Sequence, residues 1–226
     1  MSALPHLPGI ITADEVRSTA RSIAALQLPN GMIPWFVGGH CDPWNHIETA
    51  MALDVAGLHD EAALAYDWLL HTQRPDGAWH NYYMPDSTLE DAKLDTNVCA
   101  YIGTGLWHHW LCTGDRAFAE RTWPALVRAL DWVVSLQRAD GTVLWAVEAN
   151  GDRPWDYALL TGSSSIWHAL DSAIRLGGVL GANTSAWAAA LDRLGAAIRS
   201  EPGAPRFADK SEWAMDWYYP VLCGVL

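Results

Sequence analysis

The sequence has little positive charge and no long apolar run. Its 226 residues include 14 Lys and Arg against 26 Asp and Glu, which gives a formal net charge of −12. Because binding to nucleic acid requires cations that face the phosphates, this balance disfavours DNA or RNA as a partner. The longest apolar stretches are shorter than a bilayer span, and no basic run indicates a membrane surface. The segment 1–11 lacks the charged start and apolar centre of a signal peptide, so we expect a cytoplasmic protein without a membrane partner.

Cysteine and phenylalanine are also scarce. The four cysteines form neither a Cys-x-x-Cys pair nor a regular framework, which favours reduced thiols. Fourteen tryptophans stand against three phenylalanines, and several tryptophans fall in predicted loops, where core packing explains them less well. The chain has neither a Gly-rich phosphate loop nor a Gly-x-Ser-x-Gly elbow. No strong metal-binding motif is matched by the potential ligands His40, Cys41, Asp42 and His46. We therefore expect no metal and no cofactor.

Four aspartates precede predicted helices at similar intervals. Asp42, Asp95, Asp156 and Asp216 are separated by 53, 61 and 60 residues. Asp is a favoured N-cap, and the proline that follows Asp42 is favoured at the first helical position. We interpret the four stretches as copies of one unit. Each copy then delivers a carboxylate to the same end of a helical assembly.

A second repeat ends the helices that lie between these aspartates. The pattern Gln-x-x-(Asn/Asp)-Gly occurs at 27–31, 73–77 and 137–141. The helices that it ends carry a one-sided apolar stripe, whereas the helices that follow an aspartate are apolar or small nearly all round. A one-sided stripe indicates a surface helix, and an all-round apolar helix is buried. The sequence therefore predicts an all-α, α/α toroid with outer and inner helices, which are expected at 13–26, 43–57, 60–73, 95–112, 117–137, 156–176, 185–198 and from 216 onwards.

The predicted ring is shorter than a common α/α toroid, which has six hairpins. Four hairpins are counted here, and two more would need roughly 110 further residues. The last residues, 221–226, are apolar and contain no helix stop. We therefore expect residues 1–226 to form a single toroid domain that is truncated at its C-terminus. Such a domain would expose apolar surface at its open edge, where homo-oligomers could form.

Two sets of residues resemble known families. The stretches AYDWL at 65–69 and QRPDGAW at 73–79 resemble the QW repeat of terpene cyclases and protein prenyltransferases, which implies a toroid but no particular chemistry. The Asp-x-Asp-Asp motif of terpene cyclases is absent, and no clear set of zinc ligands of a prenyltransferase is found. The stretches CDPWNHIE at 41–48 and AMDWYYP at 214–220 resemble actinobacterial prenyltransferase-like proteins. Among these, the similarity is to the mycobacterial hydrolases of methylmannose polysaccharide (MMP).

This second resemblance implies a cytoplasmic glycosidase of the six-hairpin type that cleaves an α-mannan. It also implies one catalytic Asp in the first hairpin, which Asp42 matches. A catalytic Glu is implied in a late hairpin, beyond Leu226. The substrate expected from the resemblance is a polysaccharide or oligosaccharide.

The carboxylates near the first repeat have both structural and catalytic interpretations. Asp42 is predicted to cap its helix, and the helix N-terminus favours an ionised carboxylate, which suits a general base. Glu48 shares a helix face with Trp44 and Met51, where burial would raise its pKa and suit a general acid. Asp95 is a further catalytic candidate. A purely structural role as helix cap or buried hydrogen-bonding group stays open for all three.

Aromatic and polar residues flank these acids and are candidates for sugar binding. An aromatic ring can stack on the apolar face of a sugar while carboxylates accept bonds from its hydroxyl groups. Each residue alone is equally compatible with packing. The candidates are Trp35, Trp44, His46, Trp79, Tyr82, Tyr83, Asp156, Asp216 and Trp217.

The sequence thus predicts glycoside hydrolysis with inversion, in which one carboxylate activates water and another protonates the leaving oxygen. Two other functions stay open. One is a non-catalytic toroid that binds a carbohydrate or a protein. The other is an isoprenoid enzyme, which the QW-like stretch suggests and the ring of acids disfavours.

Overall fold

The computed structural model of the chain describes residues 4–201 and 206–226. Within these residues most of the ordered secondary structure is helical. None of the described helices is both long and apolar enough to cross a membrane. The helices are α1 (Ala13–Leu26), α2 (Pro43–Val55), α3 (His59–Thr72), α4 (Thr96–Ala100), α5 (Ile102–Thr113), α6 (Arg116–Ser135), α7 (Leu160–Leu180), α8 (Ser185–Arg199) and α9 (Ala214–Leu222).

The helices form two layers. Helices α2, α4, α5, α7 and α9 contact one another in chain order and form the inner layer. Helices α1, α3, α6 and α8 pack on the outside of this layer. Small residues let the inner helices approach closely: a Cβ atom on Gly103 of α5 would lie 2.5 Å from the carbonyl oxygen of Ala169 in α7. The predicted α/α toroid arrangement is confirmed.

The Gln-x-x-(Asn/Asp)-Gly repeat joins each outer helix to the next. The Gln73 amide donates to the carbonyl of Gly77 in its own turn and to the carbonyl of Ala125 in α6, at 2.9 Å each. Gln27 and Gln137 each make the same two bonds, one to the glycine of the turn and one to a carbonyl of the next outer helix. The glycine of each motif has positive φ, and a Cβ there would collide with a backbone carbonyl of that helix. The motif therefore sets the spacing of the outer layer.

Short antiparallel strands pair the loops that connect the helices. Strand β1 (Tyr82–Tyr83) pairs with β2 (Leu89–Asp91), and β3 (Leu94–Asp95) pairs with β4 (Ala146–Val147), both antiparallel. Cys41 also forms an isolated antiparallel bridge with Tyr83. These pairings link the loops that lead into α2, α4 and α7.

Several predicted helix boundaries are wrong. The helix predicted at 95–112 is interrupted at Tyr101, which separates α4 from α5. The helix predicted from Asp156 begins instead at Leu160 and continues to Leu180. Helix α9 begins at Ala214, so Asp216 lies within its first turn and is not its N-cap.

Helix α9 exposes apolar side chains along its length. Its inner neighbour is α7, and its other side faces solvent. The exposed large side chains here are Trp213, Met215, Trp217, Tyr218, Val221, Leu222 and Leu226. Self-association through this edge stays a prediction.

Candidate active site

The N-terminal ends of the inner helices lie next to one another. The Thr161 hydroxyl in the first turn of α7 donates a hydrogen bond to Asp216 in the first turn of α9. A Cβ atom on Gly162 would lie 3.6 Å from the Cβ atom of Asn97 in the first turn of α4. These contacts place the starts of α4, α7 and α9 side by side, with Asp95 before α4 and Asp216 in the first turn of α9.

Asp42 is the N-cap of α2 and is almost fully buried. Its Oδ1 accepts a hydrogen bond from the Asn45 backbone N–H at 2.9 Å. Its Oδ2 accepts from the Trp35 indole at 2.7 Å and from the Asn45 side-chain amide at 2.9 Å. Three N–H donors therefore hold this carboxylate in one orientation.

Asp95 is the N-cap of α4 and is also buried. Its Oδ1 accepts both backbone bonds, from Asn97 at 2.9 Å and from Val98 at 3.2 Å. Burial raises the pKa of Asp95 to about 6, although the Val98 amide and the Lys93 charge oppose the shift. A carboxyl group with this pKa is half protonated at about pH 6 and about one tenth protonated at pH 7.

Glu48 lies one turn further into α2, partly buried, and accepts a hydrogen bond from the Tyr101 hydroxyl. The Tyr101 ring stacks on Trp44 with 4.7 Å between ring centroids. Glu48 is thus held between α2 and the junction of α4 and α5. Trp44 contributes a ring that supports Tyr101.

Several aromatic side chains lie around Asp42, on the side of the loop that precedes α2. His40 lies 4.5 Å from Tyr82 and 4.8 Å from Trp35, measured between ring centroids. His40 Nδ1 also pairs with Glu90 at 2.5 Å. Burial raises the pKa of Tyr82, and the negative charges of Asp42 and Asp95, among others, raise it further. The charges of Asp42 and Asp95 therefore both raise the pKa of Tyr82.

Three predicted sugar-binding side chains are core residues. His46 Nδ1 accepts from the Ile33 N–H at 3.2 Å, and its Nε2 lies 2.8 Å from the Ala65 carbonyl oxygen. Burial lowers the pKa of His46 to about 4, so its ring is neutral.

The polar atoms of Trp79 and Tyr83 also form hydrogen bonds within the core. The Trp79 indole donates to the Leu69 carbonyl, and the Tyr83 hydroxyl accepts from the His80 N–H. His46, Trp79 and Tyr83 are all buried with their polar atoms bonded. Their assignment to sugar binding is therefore wrong.

The last two aspartates do not repeat the cap geometry. Asp156 lies in a loop four residues before α7, with its side chain 94% exposed and 3.8 Å from Arg138. Its predicted role as a helix start is wrong. Asp216 and Trp217 line a cleft of about 630 Å³ between α7 and the loop around residues 207–211. Asp42 and Asp95 are not among the residues that line this cleft.

A smaller cleft of about 300 Å³ lies next to Asp42. Trp35 and Asn45, which both bond to Asp42, form part of its wall. The rest of the wall is mostly apolar and comes from Ile23, Leu26, Ile33, Pro34 and Thr49. An apolar surface thus begins directly beside the candidate carboxylate.

Several residues of this region were missed by sequence reasoning. Asn45 and Tyr101 bond to the carboxylates of Asp42 and Glu48, and Glu90 pairs with His40. Asn45 lies three residues after a predicted cap, which is a signal that could have found it. The pairings of Tyr101 and Glu90 join segments far apart in sequence and leave no local signal.

The described residues, 4–201 and 206–226, contain no group of three or more His, Cys, Asp or Glu side chains arranged to hold a metal ion. All four cysteines are free thiols. The chemistry of the region is therefore that of carboxylates, aromatic rings and amides.

Comparison with known proteins relates this arrangement to glycosidases. Over all 226 residues the chain is 47% identical to MMP endo-(1,4)-3-O-methyl-alpha-D-mannosidase of Mycolicibacterium hassiacum. The chain is similar to this mannosidase over its whole length. It spans 62% of the length of that relative. A stretch of 88 residues, 37% of the chain and 14% of the relative, is 30% identical to an uncharacterized glycosyl hydrolase of Methanocaldococcus jannaschii. No profile of a known protein family matches the chain.

Solved structures confirm the fold. A GH63 mannosylglycerate hydrolase from Thermus thermophilus superimposes with a TM-score of 0.69 at 11% identity, over 93% of this chain and 72% of that one. An unsaturated glucuronyl hydrolase specific for heparin gives a TM-score of 0.65 at 15% identity, over 93% and 67%. A cellobiose 2-epimerase from Spirochaeta thermophila gives 0.64 at 14% identity, over 83% and 54%. At these identities the likeness concerns the fold and not the reaction.

Proposed function

We propose that the protein is a glycoside hydrolase that cleaves a polysaccharide of α-(1,4)-linked 3-O-methylmannose with inversion at the anomeric carbon. The observation that carries the proposal is the 47% identity to the 3-O-methyl-mannosidase over the whole chain. The surroundings of Asp42 support the proposal, because three N–H donors orient its carboxylate and aromatic rings lie next to it. Several carboxylates at one end of the inner layer suit a hydroxyl-rich substrate better than a hydrocarbon.

Asp42 acts as the general base in this proposal. Its three N–H donors fix the orientation of the carboxylate. An ionised carboxylate in a fixed position can accept a proton from a water molecule as that water attacks the anomeric carbon. The attack displaces the sugar oxygen on the opposite face, which inverts the configuration.

Asp95 acts as the proton donor. Burial raises its pKa to about 6, so about one tenth of the molecules carry this proton at pH 7, far more than for an Asp of ordinary pKa. Both of its backbone bonds are to Oδ1, and a hydrogen bond from the Trp145 side chain opposes the rise of its pKa; in this proposal Oδ2 carries the proton. Donation of that proton to the leaving oxygen completes the reaction with balanced charge: the base gains one proton and the acid loses one.

Incubation of the 226-residue chain with methylmannose polysaccharide tests the proposal. Release of oligosaccharides is measured by chromatography, and the anomer of the fresh product by proton NMR. The expected product is the β-anomer. A product that forms first as the α-anomer would contradict inversion, and binding without any release would favour a carbohydrate-binding protein.

The Asp42→Asn variant tests the role of the base. The amide is nearly isosteric but cannot accept the proton, so hydrolysis should fall by about a hundredfold or more. Asp115→Asn is a matched control because Asp115 is also an N-cap, with its carboxylate 2.9 Å from the Phe118 N–H at the start of the outer helix α6. Turnover by Asp42→Asn equal to that of Asp115→Asn would exclude Asp42 as the base.

A further inference from the structure

A turn beside Asp42 presents three consecutive apolar side chains to solvent. Trp35, Phe36 and Val37 are 49%, 58% and 85% exposed. Turns are usually rich in polar residues and glycine, and a contiguous exposed apolar patch commonly marks an interaction site. The residues that follow, Gly38 and Gly39, complete the turn.

The turn has a defined conformation. The Gly39 N–H donates to the Phe36 carbonyl, and the Trp35 N–H donates to the His40 carbonyl, at 2.9 Å each. Gly38 has φ +74°, a conformation that glycine adopts readily. A Cβ atom on Gly39 would lie 2.6 Å from the Phe36 ring, so the ring is folded over this glycine. The backbone hydrogen bonds therefore hold the apolar side chains at fixed positions.

The turn is anchored to the candidate catalytic carboxylate. At its start, the Trp35 indole donates to Asp42 Oδ2 at 2.7 Å. At its end, Cys41 exchanges two backbone hydrogen bonds with Tyr83, at 2.8 and 2.9 Å. The Phe36 ring also lies 6.1 Å from the His40 ring. A sugar placed for attack near Asp42 would have this apolar surface within reach.

We propose that the turn formed by Trp35, Phe36, Val37, Gly38 and Gly39 recognises the O-methyl groups of the substrate. This inference rests on the proposed function and adds the basis of its specificity. A 3-O-methyl group replaces a hydroxyl that needs hydrogen-bonding partners by an ether capped with an apolar carbon. Against exposed rings and Val37 the methyl group loses contact with water, whereas the hydroxyl of an unmethylated sugar would lose a hydrogen bond there.

The test compares two ligands of equal length and linkage. One is an α-(1,4)-oligosaccharide of 3-O-methylmannose and the other is its unmethylated counterpart. Dissociation constants are measured by calorimetry for the full chain, for Val37→Ser and for Phe36→Ala/Val37→Ser. The ratio that favours the methylated ligand should fall by about fourfold for each methyl group that the turn covers. Affinity for the unmethylated ligand should change little.

Leu111→Ser is the matched control. Leu111 is likewise apolar and 63% exposed, but it lies in the last turn of α5, away from the helix starts. This variant should keep the full ratio. Circular dichroism reports folding, and because Val37 is so exposed, Val37→Ser should fold even if the double variant does not.

Three outcomes overturn the inference. They are an unchanged ratio in a folded turn variant, an equal loss of affinity for both ligands, and no binding of either ligand. Hydrolysis is measured separately with both ligands. Selective binding without hydrolysis would contradict the proposed hydrolase while supporting the turn as the methyl-recognition element. Hydrolysis of the methylated ligand, combined with an unchanged affinity ratio in the folded turn variants, would support the proposed hydrolase and contradict the turn as the methyl-recognition element.

Discussion

Replacing Asp95 by Asn should make the protein more stable at high pH and, if the proposed roles hold, inactive. The pKa of Asp95 is raised from 3.8 to about 6 by burial. Between these two values the folded state holds a proton that the unfolded state has released. The contribution of Asp95 to stability is therefore fully present below about pH 4 and is lost as the pH rises through 6.

The shift of about two pH units corresponds to roughly 3 kcal/mol of unfolding free energy above pH 7. Asn is as good an N-cap as Asp and carries no charge, so the bonds from Asn97 and Val98 can be kept. From linkage, the advantage of Asp95→Asn over the unaltered chain should be about 1.5 kcal/mol larger at pH 8 than at pH 5. Urea unfolding, followed by tryptophan fluorescence at both pH values, measures this difference.

Asp115→Asn shows the effect of the same exchange at an exposed cap. An advantage of Asp95→Asn that is equal at pH 5 and pH 8 would refute the reasoning from burial.

The pH dependence of activity tests Asp95 independently, because a general acid must be protonated in the free enzyme. With Asp95 in this role, kcat/KM should decline as the pH rises above about 6, and Asp95→Asn should lose this limb together with most of the activity.

Three further substitutions test the fold and the site. Trp35→Phe keeps the ring and removes the bond to the Asp42 carboxylate, so hydrolysis should fall about tenfold or more; unchanged turnover would show that the bond is dispensable. Gln73→Ala removes the bond to Ala125 that joins α3 to α6, together with the bond to Gly77 in its own turn, and should lower the unfolding free energy by about 1–3 kcal/mol in urea titrations; no change would show that the Gln repeat does not hold the outer layer. Gly103→Ala should destabilise by about 1–3 kcal/mol through its collision with α7, whereas Gly178→Ala, which meets open space, should be neutral or slightly stabilising.

Local sequence was sufficient where a few neighbouring residues determine the structure. Asp42 and Asp95 were recognised as caps because the cap and its N–H donors lie within three residues of each other. The Gln-x-x-(Asn/Asp)-Gly motif was recognised for the same reason. Its partners on the next outer helix are 34 to 53 residues away, so the sequence could not show which helix the glutamine joins.

Asp156 shows where local reasoning fails. The sequence around Asp156 resembles the sequence around the two N-caps, but the segment that precedes Asp156 pairs with residues around β4. The Trp155 N–H donates to the Ala146 carbonyl at 2.8 Å, and the Trp145 N–H donates to the Tyr157 carbonyl at 2.9 Å. These long-range bonds keep the chain extended beyond Asp156 and delay the helix to Leu160. His46, Trp79 and Tyr83 were misassigned because proximity to Asp42 or Asp95 in sequence does not show which side of a loop or helix faces the core.

The repeat that places carboxylates at the same end of the inner helices also explains how similar positions can take different roles. Asp42 and Asp95 both cap inner helices, yet their surroundings differ. Asp42 receives two side-chain donors, from Trp35 and Asn45, in addition to one backbone N–H. Asp95 receives two backbone donors in a site where burial dominates its titration. Loop residues that vary between the repeats, and not the repeated cap itself, therefore separate a candidate base from a candidate acid.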